Sequence, residues 1–225
     1  MNSGIIVAAG KGERMGVNVD KAFLSLGPKP VLVYSLQAFE KCLDIEEVVL
    51  VVRKERVESA RMAVQMFGCT KVKAIIAGGQ TRQASVMLGI EALSLEAKIV
   101  AIQDGARPNV TTDLISETIK SARLYGSGVA AVKITDTVKE VEKGLTIAST
   151  IDRTKLWRVQ TPQTFKVELL KKAYELVLKK KLKITDDASA VELICNDVRL
   201  VMASPSNIKI TTPDDLILAS ALMRL

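Results

Sequence analysis

The stretch Gly4-Ile5-Ile6-Val7-Ala8-Ala9-Gly10-Lys11-Gly12-Glu13-Arg14-Met15-Gly16 sets a short apolar run directly before a loop of glycines and cations. Such a run reads as a buried strand, and in an open α/β sheet the loop leaving a strand is where ligands settle. Glycines at 10, 12 and 16 let backbone amides approach phosphate oxygens with no side chain in the way, while Arg14 and Lys21, close behind, can neutralise them. The spacing G-x-G-x-x-x-G with an embedded Arg matches neither the dinucleotide fingerprint G-x-G-x-x-G nor the P-loop G-x-x-x-x-G-K-S/T. A purely structural turn is the alternative, but the loop is too long for a tight turn and carries exposed cations.

Working outward, β-branched runs alternate with helical patterns. A helix is expected from about Pro30 to Cys42, then a strand Glu47–Val52, a helix Lys54–Phe67 and a strand Val72–Ala77. A helix Thr81–Leu93, a strand Lys98–Gln103 and a helix Thr111–Tyr125 follow, with Thr111 or Thr112 as the cap. This alternation predicts a Rossmann-like α/β fold, an open and mostly parallel sheet with helices on both faces joined by right-handed crossovers. After Gly128–Val132 the pattern changes. Thr135–Ile151 alternates like a hairpin turning at Lys143-Gly144, which predicts a projecting β-arm over residues 135–158. The remainder reads as a Lys-rich helix Val167–Leu182, a helix Asp187–Cys195, strands Val198–Ala203 and Asn207–Ile210, and a closing helix from Pro213. No linker or repeat interrupts it, so residues 1–225 are expected to form a single domain.

Composition narrows the chemistry. With 48% hydrophobic residues the 225-residue chain can bury a sizeable core. No apolar run reaches the roughly 18–20 residues of a membrane span, and residues 1–9 enter a strand without a basic leader, so a cytosolic protein that does not engage membranes is expected. Cys42, Cys69 and Cys195 are scattered and fit neither a disulfide framework nor a zinc site. The absence of histidine removes Ser-His-Asp and Cys-His nucleophile systems, leaving Lys, Arg, Asp and backbone amides to do the chemistry. The net charge of +7 would also suit a nucleic-acid binder, but aromatics total only 4%, too few to stack bases. Much of the excess lies in Lys171, Lys172, Lys179, Lys180, Lys181 and Lys183, on a helix whose other face is apolar, and reads as a solvated surface. An NAD enzyme would carry an acidic residue at the end of the second strand, where this chain has Arg53.

Three further loops follow predicted strands. In Ala77-Gly78-Gly79-Gln80-Thr81-Arg82-Gln83-Ala84-Ser85, paired glycines can bring backbone against a planar base, and Gln80 and Ser85 offer hydrogen bonds to its edge or to a ribose. A helix entry capped by Thr81 is the plainer reading of the same residues. In Gln103-Asp104-Gly105-Ala106-Arg107-Pro108, Asp104 can hold Mg²⁺ on triphosphate oxygens and Arg107 can grip a second phosphorylated substrate; a surface ion pair is the alternative. In Asn207-Ile208-Lys209-Ile210-Thr211-Thr212-Pro213-Asp214-Asp215, the Thr-Pro-Asp-Asp run starts the last helix, and Lys209 alternates with Ile208 and Ile210 so as to point away from the core.

Together with Asp152-Arg153-x-x-Leu156-Trp157, Thr161-Pro162-Gln163 and Thr185-Asp186-Asp187-Ala188-Ser189, these loops resemble the 2-C-methyl-D-erythritol 4-phosphate cytidylyltransferase family across essentially the whole chain. The first loop is shared with many sugar nucleotidyltransferases, whereas the later motifs are more particular. The resemblance implies a nucleotidyltransferase-type fold and transfer of CMP from CTP to methylerythritol phosphate, in the non-mevalonate isoprenoid pathway. It implies that Arg14 and Lys21 stabilise the transition state, that Arg153 and Lys209 position the methylerythritol phosphate, and that Asp104 binds Mg²⁺. Ala8, Ala9, Gly10, Gly12, Gly79, Gln80 and Ser85 match positions around CTP. Arg107, Thr137 and Thr185 match positions around the second substrate. At Gln80 many relatives carry Asp or Asn. The resemblance also implies a homodimer in which the β-arm embraces the neighbouring subunit and Arg153 serves the partner's site. A ribitol 5-phosphate cytidylyltransferase shares the nucleotide loop and is the alternative activity.

Overall fold

The structure, a computed structural model, describes residues 1–10 and 20–225. Its strands are β1 (Asn2–Ala8), β2 (Ser25–Leu26), β3 (Lys29–Pro30), β4 (Glu47–Val52), β5 (Val72–Ala77), β6 (Ile99–Asp104), β7 (Ser127–Lys133), β8 (Val138–Val141), β9 (Ile147–Ile151), β10 (Trp157–Lys166) and β11 (Leu200–Met202). Its α-helices are α1 (Val31–Lys41), α2 (Val57–Met66), α3 (Arg82–Glu91), α4 (Thr112–Tyr125), α5 (Val167–Lys179), α6 (Asp187–Val191) and α7 (Pro213–Met223).

A seven-stranded sheet runs in the order β11-β7-β10-β6-β1-β4-β5. Neighbours are parallel except that β10 runs against both β6 and β7. Strand alternation divides the apolar residues between two cores. On one face Ile6, Leu50 and Ala101 pack with Leu32, Leu36 and Phe39 of α1, Ala60 of α2, and Ile115 and Ile119 of α4. On the other, Ile5, Val49, Val51, Val100 and Ile102 meet Val86 and Ile90 of α3, Leu170, Ala173 and Val177 of α5, and Val191 of α6. A third cluster joins Leu26 and Val31 to Ile210 and to Ala219 of α7.

The predicted helices and parallel strands are present, with three differences of physical interest. β10 was not anticipated: its ten residues include Pro162, which lacks a ladder donor, and the register against β7 shifts between Val159 and Gln163, where a bulge accommodates it. The β8–β9 hairpin turns through a 3₁₀ segment, Lys143–Leu145, because the positive φ values fall at Gly144 (72°) and Leu145 (63°), one residue later than a two-residue turn at Lys143-Gly144 requires. Residues 207–210 form no strand, yet Ile208 and Ile210 still pack inward while Lys209 faces the other way, as alternation predicted. The lysines of α5 lie on its exposed face, and all three cysteines are free.

Gly128 shows how tightly β7 sits on α4. A Cβ there would fall 2.3 Å from the Thr118 carbonyl oxygen and 2.8 Å from Ser121 Cβ, and helix backbone cannot swing aside. Gly128→Ala is expected to destabilise the protein by roughly 1–3 kcal/mol, the usual cost of overpacking. Urea unfolding checks this, and an unchanged midpoint would contradict the contact.

Candidate active site

The carboxyl ends of β6, β1, β4 and β5 lie side by side, and the loops leaving them border a cleft of about 480 Å³. Val7–Gly10 follow from β1, Arg53–Glu55 from β4, Gly78–Arg82 from β5, and Asp104 and Ala106 from β6; Lys21 and Lys209 complete the lining with Ala22 and Ser85. The glycines of the β5–α3 loop are there for space. A Cβ on Gly78 would sit 2.4 Å from Ala9 Cβ, and one on Gly79 would sit 2.5 Å from Ala84 Cβ. Gly78 N–H donates to the Val52 carbonyl (2.7 Å), Gly79 N–H to Ser85 Oγ (3.1 Å), and Ser85 Oγ–H to the Thr81 carbonyl (2.9 Å). Ser85 therefore braces the loop it lines, and Thr81 caps α3 through Ala84 N–H.

Alternation along β6 sends Asp104 to the same face as Val100 and Ile102, towards the starts of α3 and α6. There its carboxylate is the hub of the site. Arg82 Nε reaches Oδ1 at 3.2 Å, Lys209 Nζ reaches Oδ2 at 2.7 Å, and Arg107 Nε lies 3.6 Å from Oδ2. Burial alone would raise this carboxyl's pKa, but Arg82, Lys209 and Arg107 outweigh it and hold the group well below the usual carboxylate range. Asp104 is thus an anion at any physiological pH.

The cations are themselves fixed from behind. Arg82 bridges from Asp104 to Asp187 Oδ2 (2.7 Å), and Asp187 accepts a hydrogen bond from Tyr174 Oη (2.5 Å). Burial, reinforced by Asp187, pushes the Tyr174 phenol far above its ordinary value, so it stays a donor. Arg107 donates to the Asn207 carbonyl (2.8 Å), and Ile210 N–H donates to the Ala106 carbonyl (2.8 Å); the two bonds dock the 207–210 segment against the β6 loop and deliver Lys209. Thr161 Oγ1 accepts from Asp104 N–H (3.0 Å), tying β10 to the hub.

Ala8, Ala9, Gly10, Lys21, Gly79, Gln80, Ser85, Asp104 and Lys209 therefore come together in one cleft. Gly12 and Arg14 lie outside the described residues. Arg107 is beside Asp104 but buried at 9% exposure, while Thr137, Arg153 and Thr185 are exposed and do not line the cleft; Arg153 Nη1 donates to the Thr135 carbonyl. Sequence reasoning missed Arg82, Asp187, Tyr174 and Thr161 as site residues. Arg82, Thr161 and Asp187 lie within quoted motifs and Tyr174 in none, and only the fold shows that α3, α5 and α6 meet behind Asp104.

A glycine-lined cleft across the carboxyl ends of parallel strands, with cations converging on one buried carboxylate, defines an α/β protein built to handle a nucleotide or similar phosphorylated ligand. The family model described as 2-C-methyl-D-erythritol 4-phosphate cytidylyltransferase matches residues 3–225. The chain belongs to that family. A relative of that name from Alkaliphilus oremlandii is 41% identical over 221 residues, 98% of this chain and 94% of the relative. Another from Caldanaerobacter subterraneus subsp. tengcongensis is 42% identical over 99% of this chain and 98% of its own. The crystal structure of 4-diphosphocytidyl-2C-methyl-D-erythritol synthase from Anaerococcus prevotii superposes with a TM-score of 0.88 at 31% identity, covering 100% of this chain and 96% of that one.

Proposed function

We infer that this chain is a cytidylyltransferase of non-mevalonate isoprenoid biosynthesis, which transfers CMP from CTP to 2-C-methyl-D-erythritol 4-phosphate and releases pyrophosphate. The full-length family match carries the reaction, and the Asp104 hub beside the glycine-lined cleft supports the placement of the chemistry. A bond forms between a methylerythritol phosphate oxygen and the α-phosphorus of CTP as the bond from that phosphorus to the bridging oxygen breaks. The attacking phosphate monoester has a second pKa near ~6, so it arrives largely deprotonated and a chain without histidine needs no general base. What the step does need is alignment of two anions and neutralisation of charge on the transferring group.

Lys21 supplies that charge from the cleft wall, and Arg14 is proposed to act with it. Ala8, Ala9, Gly10, Gly12, Gly79, Gln80 and Ser85 surround CTP in this reading. Lys209 positions the second substrate's phosphate, with Arg107, Thr137 and Thr185 nearby. Since the Arg107 guanidinium is already engaged by Asp104 and Asn207, its contribution in this arrangement is mainly to hold that wall in place.

A divalent cation fits the donor set. Asp104 is a carboxylate held well below the usual range at the cleft, where a bound cation would take an oxygen now paired with Lys209, and no cluster of three or more His, Cys, Asp or Glu exists among the described residues. One carboxylate with triphosphate oxygens is a common way to hold Mg²⁺, which is the ion proposed. When bound, the ion offsets negative charge on the triphosphate.

The active unit is proposed to be a homodimer built through the arm over residues 135–158, with Arg153 entering the partner's site. β8 and β9 form a two-stranded sheet of their own, and Val141 and Ile147 on it and Leu145 in its turn are 51%, 59% and 87% exposed, apolar side chains suited to cover by another subunit. Among the described residues no helix is long and apolar enough to cross a membrane, and the proposed setting is the cytoplasm. Residues 1–225 are proposed to act as one cytidylyltransferase domain.

Incubation with Mg²⁺, methylerythritol phosphate and each nucleoside triphosphate, read by pyrophosphate release, tests the reaction. CTP is expected to exceed ATP and GTP by about two orders of magnitude in kcat/KM, because the loops at 10–12 and 78–85 are proposed to enclose a small pyrimidine through backbone groups, which a purine would overfill. Comparable constants for CTP and ATP would point to a broader nucleotidyltransferase. Faster turnover with ribitol 5-phosphate would reassign the acceptor, although the family match favours methylerythritol phosphate.

A further inference from the structure

We propose that Arg56 is a positioning residue for Lys21, clamping the turn that carries it from both sides. The inference rests on the role given to Lys21 above. Lys21 begins a 3₁₀ turn, Lys21–Phe23, preceded by Asp20 and closed by the Phe23 N–H donating to the Asp20 carbonyl (3.0 Å). Arg56 approaches from the β4–α2 connection, at the end of the 3₁₀ turn Lys54–Arg56. Its Nε lies 3.3 Å from Asp20 Oδ2, and its guanidinium carbon lies 5.3 Å from the centre of the Phe23 ring. One planar cation thus holds the residue before Lys21 by charge and the residue two after it by its face.

Each held residue is anchored further. The Asp20 side chain is only 2% exposed, Ala22 lies in the core, and Phe23 packs against the same core. Burial pushes the Asp20 carboxyl up, and Arg56 is the foremost group opposing that rise, with Arg53 behind it. Removing Arg56 leaves Asp20 without that partner and removes the cation from Phe23. The short turn then loses its register towards the cleft, and Lys21 with it. Arg56 is absent from the cleft lining, whereas Lys21 is in it, as are Lys54 and Glu55 of Arg56's own turn, so a mutant cycle with Lys21 distinguishes action through the Lys21–Phe23 turn from action through Lys54 and Glu55.

The test is a double-mutant cycle on turnover. Arg56→Met is expected to lower kcat by about tenfold while the KM for CTP changes by less than about threefold, the split of a group serving the transition state. Combined with Lys21→Ala, the same substitution should lower kcat by less than about twofold more, because the residue it positions is gone. Arg56→Lys, which keeps the charge on Asp20, should recover part of the loss. Thermal melts exclude unfolding as the cause, and Asp20→Asn/Arg56→Met, which removes both charges, repeats the cycle should the single variant fold poorly. Equal losses with and without Lys21, or no loss from Arg56→Met, would overturn the clamp while leaving the role of Lys21 intact. Normal turnover in Lys21→Ala would remove the role of Lys21 and the clamp together.

Discussion

Lys21→Ala is expected to leave the fold intact and lower turnover by about a hundredfold to a thousandfold, the usual loss when one preorganised charge aimed at a transition state is deleted. Lys21 lines the same cleft as Ala8–Gly10 and the Asp104 hub, where the triphosphate is proposed to bind. Its neighbours hold the backbone independently of the amine: Ala22 is buried at 3% exposure and Phe23 packs on the core. Removal of the side chain should therefore alter charge rather than structure. The loss should appear in kcat, with CTP binding measured by calorimetry changing far less, and Arg14→Ala should behave alike. Near-wild-type turnover with normal CTP binding would show that the developing charge is met elsewhere.

The second large effect is a restoration. Arg153→Ala and Lys209→Ala are each expected to reduce use of methylerythritol phosphate strongly while sparing CTP binding, since both are proposed to grip the acceptor's phosphate. Lys209 stands in its own chain's cleft, 2.7 Å from Asp104, whereas Arg153 lies beyond the β8–β9 hairpin and outside that cleft. If the two meet only across a dimer, mixing the inactive variants creates one site with both residues and one with neither in each mixed dimer. Up to about half of the mixed dimers' sites should then work, by the reciprocity of a two-fold interface. Verified subunit exchange with no recovery of activity would confine Arg153 to its own chain, leaving the arm at most a means of association.

The strands that build the cleft were legible because each carries a short cluster of β-branched residues between turn signals. Glu47–Val52 and Val72–Ala77 fall where the pattern places them, and β1 begins only two residues earlier than expected. Helix starts were legible where capping chemistry marks them: Thr81 and Thr111 accept from Ala84 and Leu114 N–H, and Thr212 with Asp215 closes the box that opens α7. β10 was hidden because most of its inward residues, Phe165 apart, are polar. Gln163 is buried against Asp186 and Ala188 N–H, Thr164 against Thr118, and Thr161 against Asp104 N–H. A strand whose buried side chains are satisfied by partners distant in sequence carries no apolar period to read.

Local physics alone thus determines the α/β class, the order of its parallel strands and helices along the chain, and the loops that leave the strands, because strand period, glycine and cap preference act over a few residues. Sequence alone also marks Lys21, Asp104 and Lys209 as candidates by residue type and place. Only the tertiary structure decides that Arg82 spans Asp104 and Asp187, that Asn207 and Ala106 dock Lys209 onto the hub, and that Arg56 reaches both Asp20 and Phe23. Those contacts join residues tens of positions apart, and which distant side chains meet follows from the order in which the strands pair, a property of the whole packed sheet rather than of any segment of it.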